Sequence, residues 1–115
     1  MRSNHMVVRG NYVHDNNCAG LWSDIDNINT TYEDNRIENN YAQGLFIEIS
    51  DKGVIRNNVI RGNMGTGILF NSSSDQDVYG NTLTDNGLGK PDNGVGVQPA
   101  NRGDIVIIQQ NRGAG

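Results

Sequence analysis

The sequence predicts an all-β protein, a right-handed parallel β-helix of about four to five coils with about 23 residues in each coil. Three observations predict this fold. Asparagines recur in two columns with spacings of 24, 23 and 23 residues. A short apolar phrase that begins with glycine recurs beside them. No window holds the i, i+3, i+4, i+7 apolar pattern of an amphipathic helix, and the apolar residues alternate over short runs instead.

The asparagine columns predict the turns of the coils. The first column is Asn11, Asn35, Asn58 and Asn81, and the second is Asn16, Asn40, Asn63 and Asn86. Asparagine suits such turns because its side chain tolerates the left-handed backbone region, and because stacked amides can form a hydrogen-bonded ladder. We therefore expect Asn40 and Asn63 to lie one above the other in amide contact. Asn63→Ala is expected to cost about 1–2 kcal/mol.

The glycine-led phrase predicts one strand of each coil, at 20–26, 44–50, 67–72 and 94–98. Strand alternation puts Leu21, Leu45, Ile68 and Val95 on one side. The opposite, outward side then carries an aromatic and apolar row and an acidic-to-amide row. The first row is Trp22, Phe46, Leu69 and Gly96, and the second is Asp24, Glu48, Asn71 and Gln98. A slip of one residue would exchange Phe46 and Leu69 with Ile47 and Phe70.

The fourth coil departs from the repeat. Residues 87–93 contain an insertion, and the run 105–111 is predicted to begin a fifth coil. Cys18 aligns with Ala42 and Gly65, so we expect it to be packed in a tight turn rather than nucleophilic. Residues 1–115 are predicted to form a single β-helix domain, which can also be an excerpt of a longer β-helix.

Composition excludes several function classes. The net charge of −4 and the pI near 4.9 argue against nucleic acid and against an anionic membrane as partners. One cysteine allows no intrachain disulfide. No apolar run approaches the ~20 residues that span a bilayer, and residues 1–6 contain no hydrophobic signal segment.

Asp24 and Glu48 are the candidate catalytic residues. Neighbouring coils lie about 4.8 Å apart, so these equivalent acids should face each other at roughly the separation of the two carboxyls in retaining glycosidases. Two acids so close can divide into a proton donor and a nucleophile or base. Asp26 extends the acidic patch. The alternative is that these acids are solvated exterior positions of a coil.

Trp22 and Phe46 are expected to form an aromatic strip for a sugar ring, with Asp26, Asn71 and Gln98 as further substrate-binding residues. Alternatively, a flanking segment or a second protomer covers the two rings. No cofactor is expected and no metal site is assigned. A calcium ion on Asp24, Asp26 and Glu48 is chemically reasonable, because calcium prefers oxygen ligands.

Several phrases resemble the right-handed parallel β-helix repeat proteins of the pectate-lyase-like superfamily. They are Gly-Asn-Tyr-Val-His-Asp-Asn at 10–16, Gly-Leu-Trp-Ser-Asp-Ile-Asp-Asn at 20–27, Ile-Glu-Ile-Ser at 47–50 and Val-Ile-Arg-Asn-Asn-Val-Ile-Arg-Gly-Asn at 54–63. That superfamily includes polysaccharide lyases, glycoside hydrolases, uronate epimerases and non-catalytic members. The resemblance implies a carbohydrate-active protein located outside the cell or in the periplasm.

The functional prediction is cleavage of glycosidic bonds of an extended polysaccharide along the outward rows. A non-catalytic polysaccharide-binding module and a structural β-helix segment are the alternatives. A homo-oligomer is also expected, most simply a dimer through 105–108 or 7–13, because the end coils of a solenoid expose strand edges and apolar core.

Overall fold

The computed structural model describes residues 5–25, 27–88 and 103–108, and these residues form short strands and turns with no helix. In these described ranges, twelve strands build three parallel sheets of four strands each. Within this part of the chain there is accordingly no helix that could span a bilayer.

Each coil contributes one strand to each of the three sheets. The first sheet runs β1 (Val7–Arg9), β4 (Thr31–Glu33), β7 (Val54–Arg56), β10 (Asp77–Tyr79). The second sheet runs β2 (Tyr12–His14), β5 (Arg36–Glu38), β8 (Val59–Arg61), β11 (Thr82–Thr84). The third sheet runs β3 (Leu21–Asp24), β6 (Leu45–Glu48), β9 (Ile68–Asn71), β12 (Ile105–Ile108).

The predicted fold class is confirmed. The chain forms a parallel β-solenoid of about three turns with about 23 residues in each turn, slightly fewer than the four to five coils predicted. These turns connect four stacked rungs, and each rung is made of one strand from each sheet. Every strand pairs in parallel with its equivalent in the next coil, as Val7 does with Thr31 and Thr31 with Val54.

The prediction for the run 105–111 was wrong where the structure describes it. Ile105 pairs with Ile68 and Ile108 pairs with Asn71, so 105–108 supplies the third strand of the fourth rung rather than the start of a fifth coil. The segment 94–98, predicted for that place, lies outside the described residues. The connection between β11 and β12 is therefore longer than the sequence repeat indicated.

The core is a set of rows of aliphatic side chains that run along the solenoid. The middle residue of each short strand points inward, and isoleucines 37, 55 and 60 are fully buried. The third sheet adds two inward rows, which include Leu45, Ile47, Ile68 and Phe70. Each rung thus covers the apolar face of the next, which no single coil could bury alone.

Both asparagine ladders are confirmed. Asn40 Nδ2 donates to Asn63 Oδ1 at 2.8 Å, and Asn63 Nδ2 donates to Asn86 Oδ1 at 2.8 Å. In the first column Asn35 Nδ2 donates to Asn58 Oδ1 at 3.0 Å. The inner ladder amides also donate to a main-chain carbonyl of the preceding coil, as Asn58 does to Tyr32 O at 3.0 Å. Buried amides are tolerated here because their donors and acceptors are paired.

The sequence suggested that the ladder asparagines adopt the left-handed backbone conformation. In the structure, the residue before each of them adopts it instead. These residues are Gly10, Asp34, Asn57 and Gly80 in the first column and Asp15, Asn39, Gly62 and Asp85 in the second. The reason is geometric, since a positive φ at this position reverses the chain direction and turns the next side chain into the coil. The turn and the ladder are therefore served by adjacent residues.

The recurring glycine before each third-sheet strand is required by close approach. A Cβ at Gly44 would lie 2.8 Å from Asn63 Nδ2 and 2.8 Å from Gly67 O. Cys18, which was expected to be packed, is exposed. It lies in the first rung, whereas its equivalents Ala42 and Gly65 in the inner coils are buried.

Candidate functional site

The outer face of the third sheet carries the candidate site, and the predicted alternation of side chains holds there. Ile47 is buried while its strand neighbours Phe46 and Glu48 are partly exposed. The slip of one residue is therefore excluded. Trp22, Phe46 and Leu69 share the outward apolar row through the pairing of β3, β6 and β9.

Trp22 and Phe46 stack on each other. Their ring centroids are 5.5 Å apart and their planes are inclined by only 2°. This is the offset-stacked geometry that aromatic pairs prefer. Trp22 remains 57% exposed, while Leu69, the next residue of the row, is buried. The row thus presents an exposed ring in the first rung and becomes progressively covered toward the third.

Asp24, Glu48 and Asn71 form the second outward row. Asp24 pairs in register with Glu48, and Glu48 pairs with Asn71. Asn71 Nδ2 donates to Glu48 Oε2 at 3.2 Å, which orients the Glu48 carboxylate. Asp24 is exposed, Glu48 is half-buried and Asn71 is buried. The two predicted catalytic acids are therefore neighbours in one row, directly beside the aromatic pair.

Two of the predicted site residues cannot be placed in this row. Asp26 and Gln98 lie outside the described residues, and Ile108 occupies the row position next to Asn71 that was assigned to Gln98. Within the described ranges, no three side chains of the types that commonly bind metals come together. The calcium site on Asp24, Asp26 and Glu48 stays a prediction.

A second group of charged residues was not anticipated from the sequence. On the first sheet, Glu33 accepts from Arg9 Nε at 3.0 Å and from Arg56 Nη2 at 2.9 Å. On the second sheet, Glu38 accepts from Arg61 Nε at 2.8 Å and from Arg36 Nη2 at 3.1 Å. The available signal was opposite charge in one repeat position, as in the column Arg9, Glu33, Arg56.

Both glutamates are held as carboxylates. For Glu33, the hydrogen bond from Arg56 is the main cause that lowers the pKa below its ordinary value. For Glu38, burial raises the pKa, but the hydrogen bonds from Arg61 and Arg36 together outweigh it and the pKa is lowered. Each carboxylate is thus occupied by two arginines, which is the arrangement of a structural ion pair rather than of an exposed reactive group.

Tyr12 belongs to the same structural network. Its hydroxyl donates to Glu38 Oε1 at 3.3 Å, and the guanidinium of Arg36 lies 4.6 Å from its ring centroid. Its ring also stacks on His14 with centroids 4.1 Å apart. Tyr12 is therefore held by charged and aromatic neighbours of the second sheet, although its side chain is 52% exposed.

The comparison with protein families agrees with this geometry. A family model described as "right handed beta helix region" matches residues 1–83. The chain belongs to this family. No curated protein and no solved structure matched in the two other comparisons. The family establishes the right-handed parallel coil for this β-helix, and its description names no substrate or reaction.

In this right-handed β-helix, the outer face of the third sheet carries two chemically different rows. One row provides an exposed aromatic ring, and the other provides two carboxylates and an amide. Such a face can stack a sugar ring and can accept hydrogen bonds from hydroxyl groups. Among the described residues, the basic side chains of Arg9, Arg56, Arg36 and Arg61 lie on the first and second sheets instead.

Proposed function

We propose that this β-helix binds an extended polysaccharide along the outer face of its third sheet. The observation that carries the proposal is the Trp22–Phe46 stack, because a ring that is 57% exposed beside a row of hydrogen-bonding groups is the arrangement that a sugar-binding face needs. Each rung adds about 4.8 Å to both rows, so the face suits a chain that runs along the solenoid axis.

The polar row would fix the orientation of the glycan. Asp24 and Glu48 accept hydrogen bonds from sugar hydroxyls, while Asn71 keeps Glu48 in place through its amide. The aromatic row supplies apolar contact and the polar row supplies directional contact. Ligand sites commonly combine apolar contact surface with a few precisely positioned polar groups that provide specificity.

Cleavage of the bound chain is the second candidate function. Its specific support is the register of Asp24 against Glu48, which places two carboxylates on adjacent strands. Adjacent strands are about 4.8 Å apart, and retaining glycosidases hold their two carboxyl groups about 5–5.5 Å apart. In that reaction one acid protonates the leaving oxygen and the other attacks the anomeric carbon.

Binding is tested by titrating a panel of plant and bacterial polysaccharides against the whole chain in affinity electrophoresis. Trp22→Ala is expected to weaken binding about tenfold, because stacking on an exposed ring contributes more than 1 kcal/mol. Phe46→Ala is expected to weaken binding as well, because it removes the ring on which Trp22 stacks. Tyr41→Ala is the matched control, since Tyr41 is also an exposed aromatic residue but lies in a turn of the second coil. Equal affinity in all four proteins would place the ligand elsewhere.

Cleavage is tested on the same panel by the release of reducing ends, with and without calcium. The enzyme proposal predicts product from at least one polysaccharide and its loss in both Asp24→Asn and Glu48→Gln. A ligand that binds through Trp22 without any product identifies a binding module. Product that depends on added calcium would indicate that a calcium ion binds at the acidic row.

A further inference from the structure

The fourth rung, formed by β10, β11 and β12, ends in an exposed slice of the core. Ile105 and Ile107 continue the inward rows of Ile68 and Phe70, yet they are 46% and 75% exposed. Together with Phe70 and Val78 they line an apolar cleft of about 330 Å³. Among the residues that the structure describes, no further rung covers this row, and apolar surface beside strand edges favours association.

Main-chain amides of the first sheet donate to the preceding coil at the start of each strand and to the next coil just after the strand. This pattern leaves an outward-pointing amide at each end of the stack. In the first sheet, each strand donates back to the preceding coil through the amides of Thr31, Val54 and Asp77. The glycine or polar residue after each strand donates forward, as seen for Gly10, Asp34 and Asn57. By the same rule the Val7 amide in the first rung and the Gly80 amide in the fourth point out of the stack, toward opposite ends.

The first asparagine ladder ends in a main-chain donor in the fourth rung and in a side-chain acceptor in the first rung. In the inner coils the main-chain amide of each ladder residue donates to the next Oδ1, as Asn58 N does to Asn81 Oδ1 at 2.9 Å. In the described part of the chain, Asn81 N has no such acceptor and Asn11 Oδ1 has no such donor. A second copy stacked by the same translation would bring these two groups together.

Charge distinguishes between the ways in which two copies could meet. The fourth rung and its flanking turns are acidic. The exposed acids are Asp75, Asp77, Asp85 and Asp104, and the residues described there include no basic side chain. The first rung carries Arg9, His5 and His14 as well as Asp15 and Asp24. A two-fold contact between fourth rungs would oppose two identical acidic sets. In a head-to-tail stack the repeat register instead sets His5 beside Asp75 and opposes one pair of acids, Asp15 and Asp85, while Arg9 stays paired with Glu33.

We propose that copies of this chain stack head to tail, with the first rung of one copy on the fourth rung of the next. This arrangement continues the three sheets in parallel, covers Ile105 and Ile107, and joins Val7 N to Gln76 O and Gly80 N to Arg9 O across the interface. The contact is heterologous and does not close, so assembly grows beyond a dimer. The stack also sets Val106 of one copy beside Trp22 of the next, so the interface adjoins the proposed glycan face at the first rung.

Two single substitutions block the two ends separately. Ile107→Lys places a charge in the open slice of the fourth rung, at a side chain that is already 75% exposed. Val7→Pro removes the amide that points out of the first rung, at the first residue of an edge strand where proline is tolerated. Ile107→Ser is the milder alternative, because serine already stands in this row at Ser23. Tyr41→Lys is the control, since it adds the same charge away from both ends.

Sedimentation velocity of the whole chain at rising micromolar concentrations tests the proposal, with circular dichroism to confirm that each variant is folded. The parent and Tyr41→Lys are expected to exceed twice the 12.6 kDa monomer mass and to grow with concentration. Each end-blocked variant alone should be a monomer. An equimolar mixture of Ile107→Lys and Val7→Pro should form a dimer that grows no further, because only one pair of compatible ends remains.

Other outcomes overturn the proposal. A Val7→Pro protein that still dimerises, while Ile107→Lys is a monomer, would show a two-fold contact between fourth rungs. The reverse pattern would show a two-fold contact between first rungs. A parent chain that stays at the monomer mass at every concentration would show that neither end associates.

Discussion

Asn63→Ala removes the centre of the second asparagine ladder, and the structure gives the size of the effect. The Asn63 side chain is fully buried and takes part in four hydrogen bonds. Its Oδ1 accepts from Asn40 N and Asn40 Nδ2 at 3.0 and 2.8 Å, and its Nδ2 donates to Asn86 Oδ1 and Ile37 O at 2.8 and 3.2 Å. At about 1 kcal/mol net for each bond, the loss is about 4 kcal/mol. This exceeds the 1–2 kcal/mol expected from the sequence, because the ladder residue bonds to the backbone as well as to its neighbours.

Urea unfolding followed by circular dichroism measures this loss, and two further variants calibrate it. Asn16→Ala removes one side-chain bond, from Asn16 Nδ2 to Asn40 Oδ1 at 2.9 Å, and should cost about 1 kcal/mol. Asn17→Ala, an exposed asparagine outside both ladders, should change stability by less than about 0.5 kcal/mol. If Asn63→Ala costs no more than Asn17→Ala, the ladder reasoning is refuted and the asparagines serve only to form turns.

Three further predictions concern the core, the ion pairs and the acidic row. Ile60→Asp puts an unpaired charge at a fully buried position between coils, and the far-ultraviolet β spectrum should be lost. Glu38 has a lowered pKa when folded, so its contribution to stability is present above about pH 4.5 and is lost as the pH falls through the lower folded value. Glu38→Gln should therefore reduce stability at pH 7 and flatten the acid limb of unfolding midpoints measured against pH. Glu48→Gln should abolish any glycan cleavage while polysaccharide binding persists, and a variant that cleaves at the parent rate would remove Glu48 from the reaction.

The inner coils could be predicted from the sequence because their physical requirements repeat in the sequence itself. Asn40 and Asn63 must align to form amide contacts, and Gly44 must lack a side chain for the coil corner to approach them. The inward and outward alternation of Phe46 and Ile47 follows from strand geometry alone. These local rules also placed Asp24 beside Glu48 in one row.

The last strand could not be predicted, because two segments fit the same alternating pattern. Residues 94–98 begin with glycine at the expected place, whereas 105–108 contains three isoleucines and one valine. β-branched residues favour strands, glycine weakens them, and a longer connecting loop costs little extra entropy. The structure accordingly shows Ile105–Ile108 paired with β9.

The charged rows of the first two sheets escaped prediction for a different reason. Residues such as Glu33 and Arg56 are ordinary surface types when one coil is considered alone. They form ion pairs only when the coils stack. Stacking brings Arg56 Nη2 to 2.9 Å from Glu33 Oε1 and leaves the glutamate largely buried. Comparing the same position in successive repeats, rather than along one strand, would have exposed the alternation of sign.

The proposed ligand-binding face, the outer face of the third sheet, carries an intrinsic fluorescent probe. Trp22 is the single tryptophan of the chain and lies in that face. Titration of the polysaccharide panel while the fluorescence of Trp22 is recorded should give a saturable change in emission for each glycan that binds. Phe46→Ala should move the titration midpoint to higher concentration. A polysaccharide that binds in affinity electrophoresis while the emission of Trp22 stays constant would contradict the proposed position of the binding face.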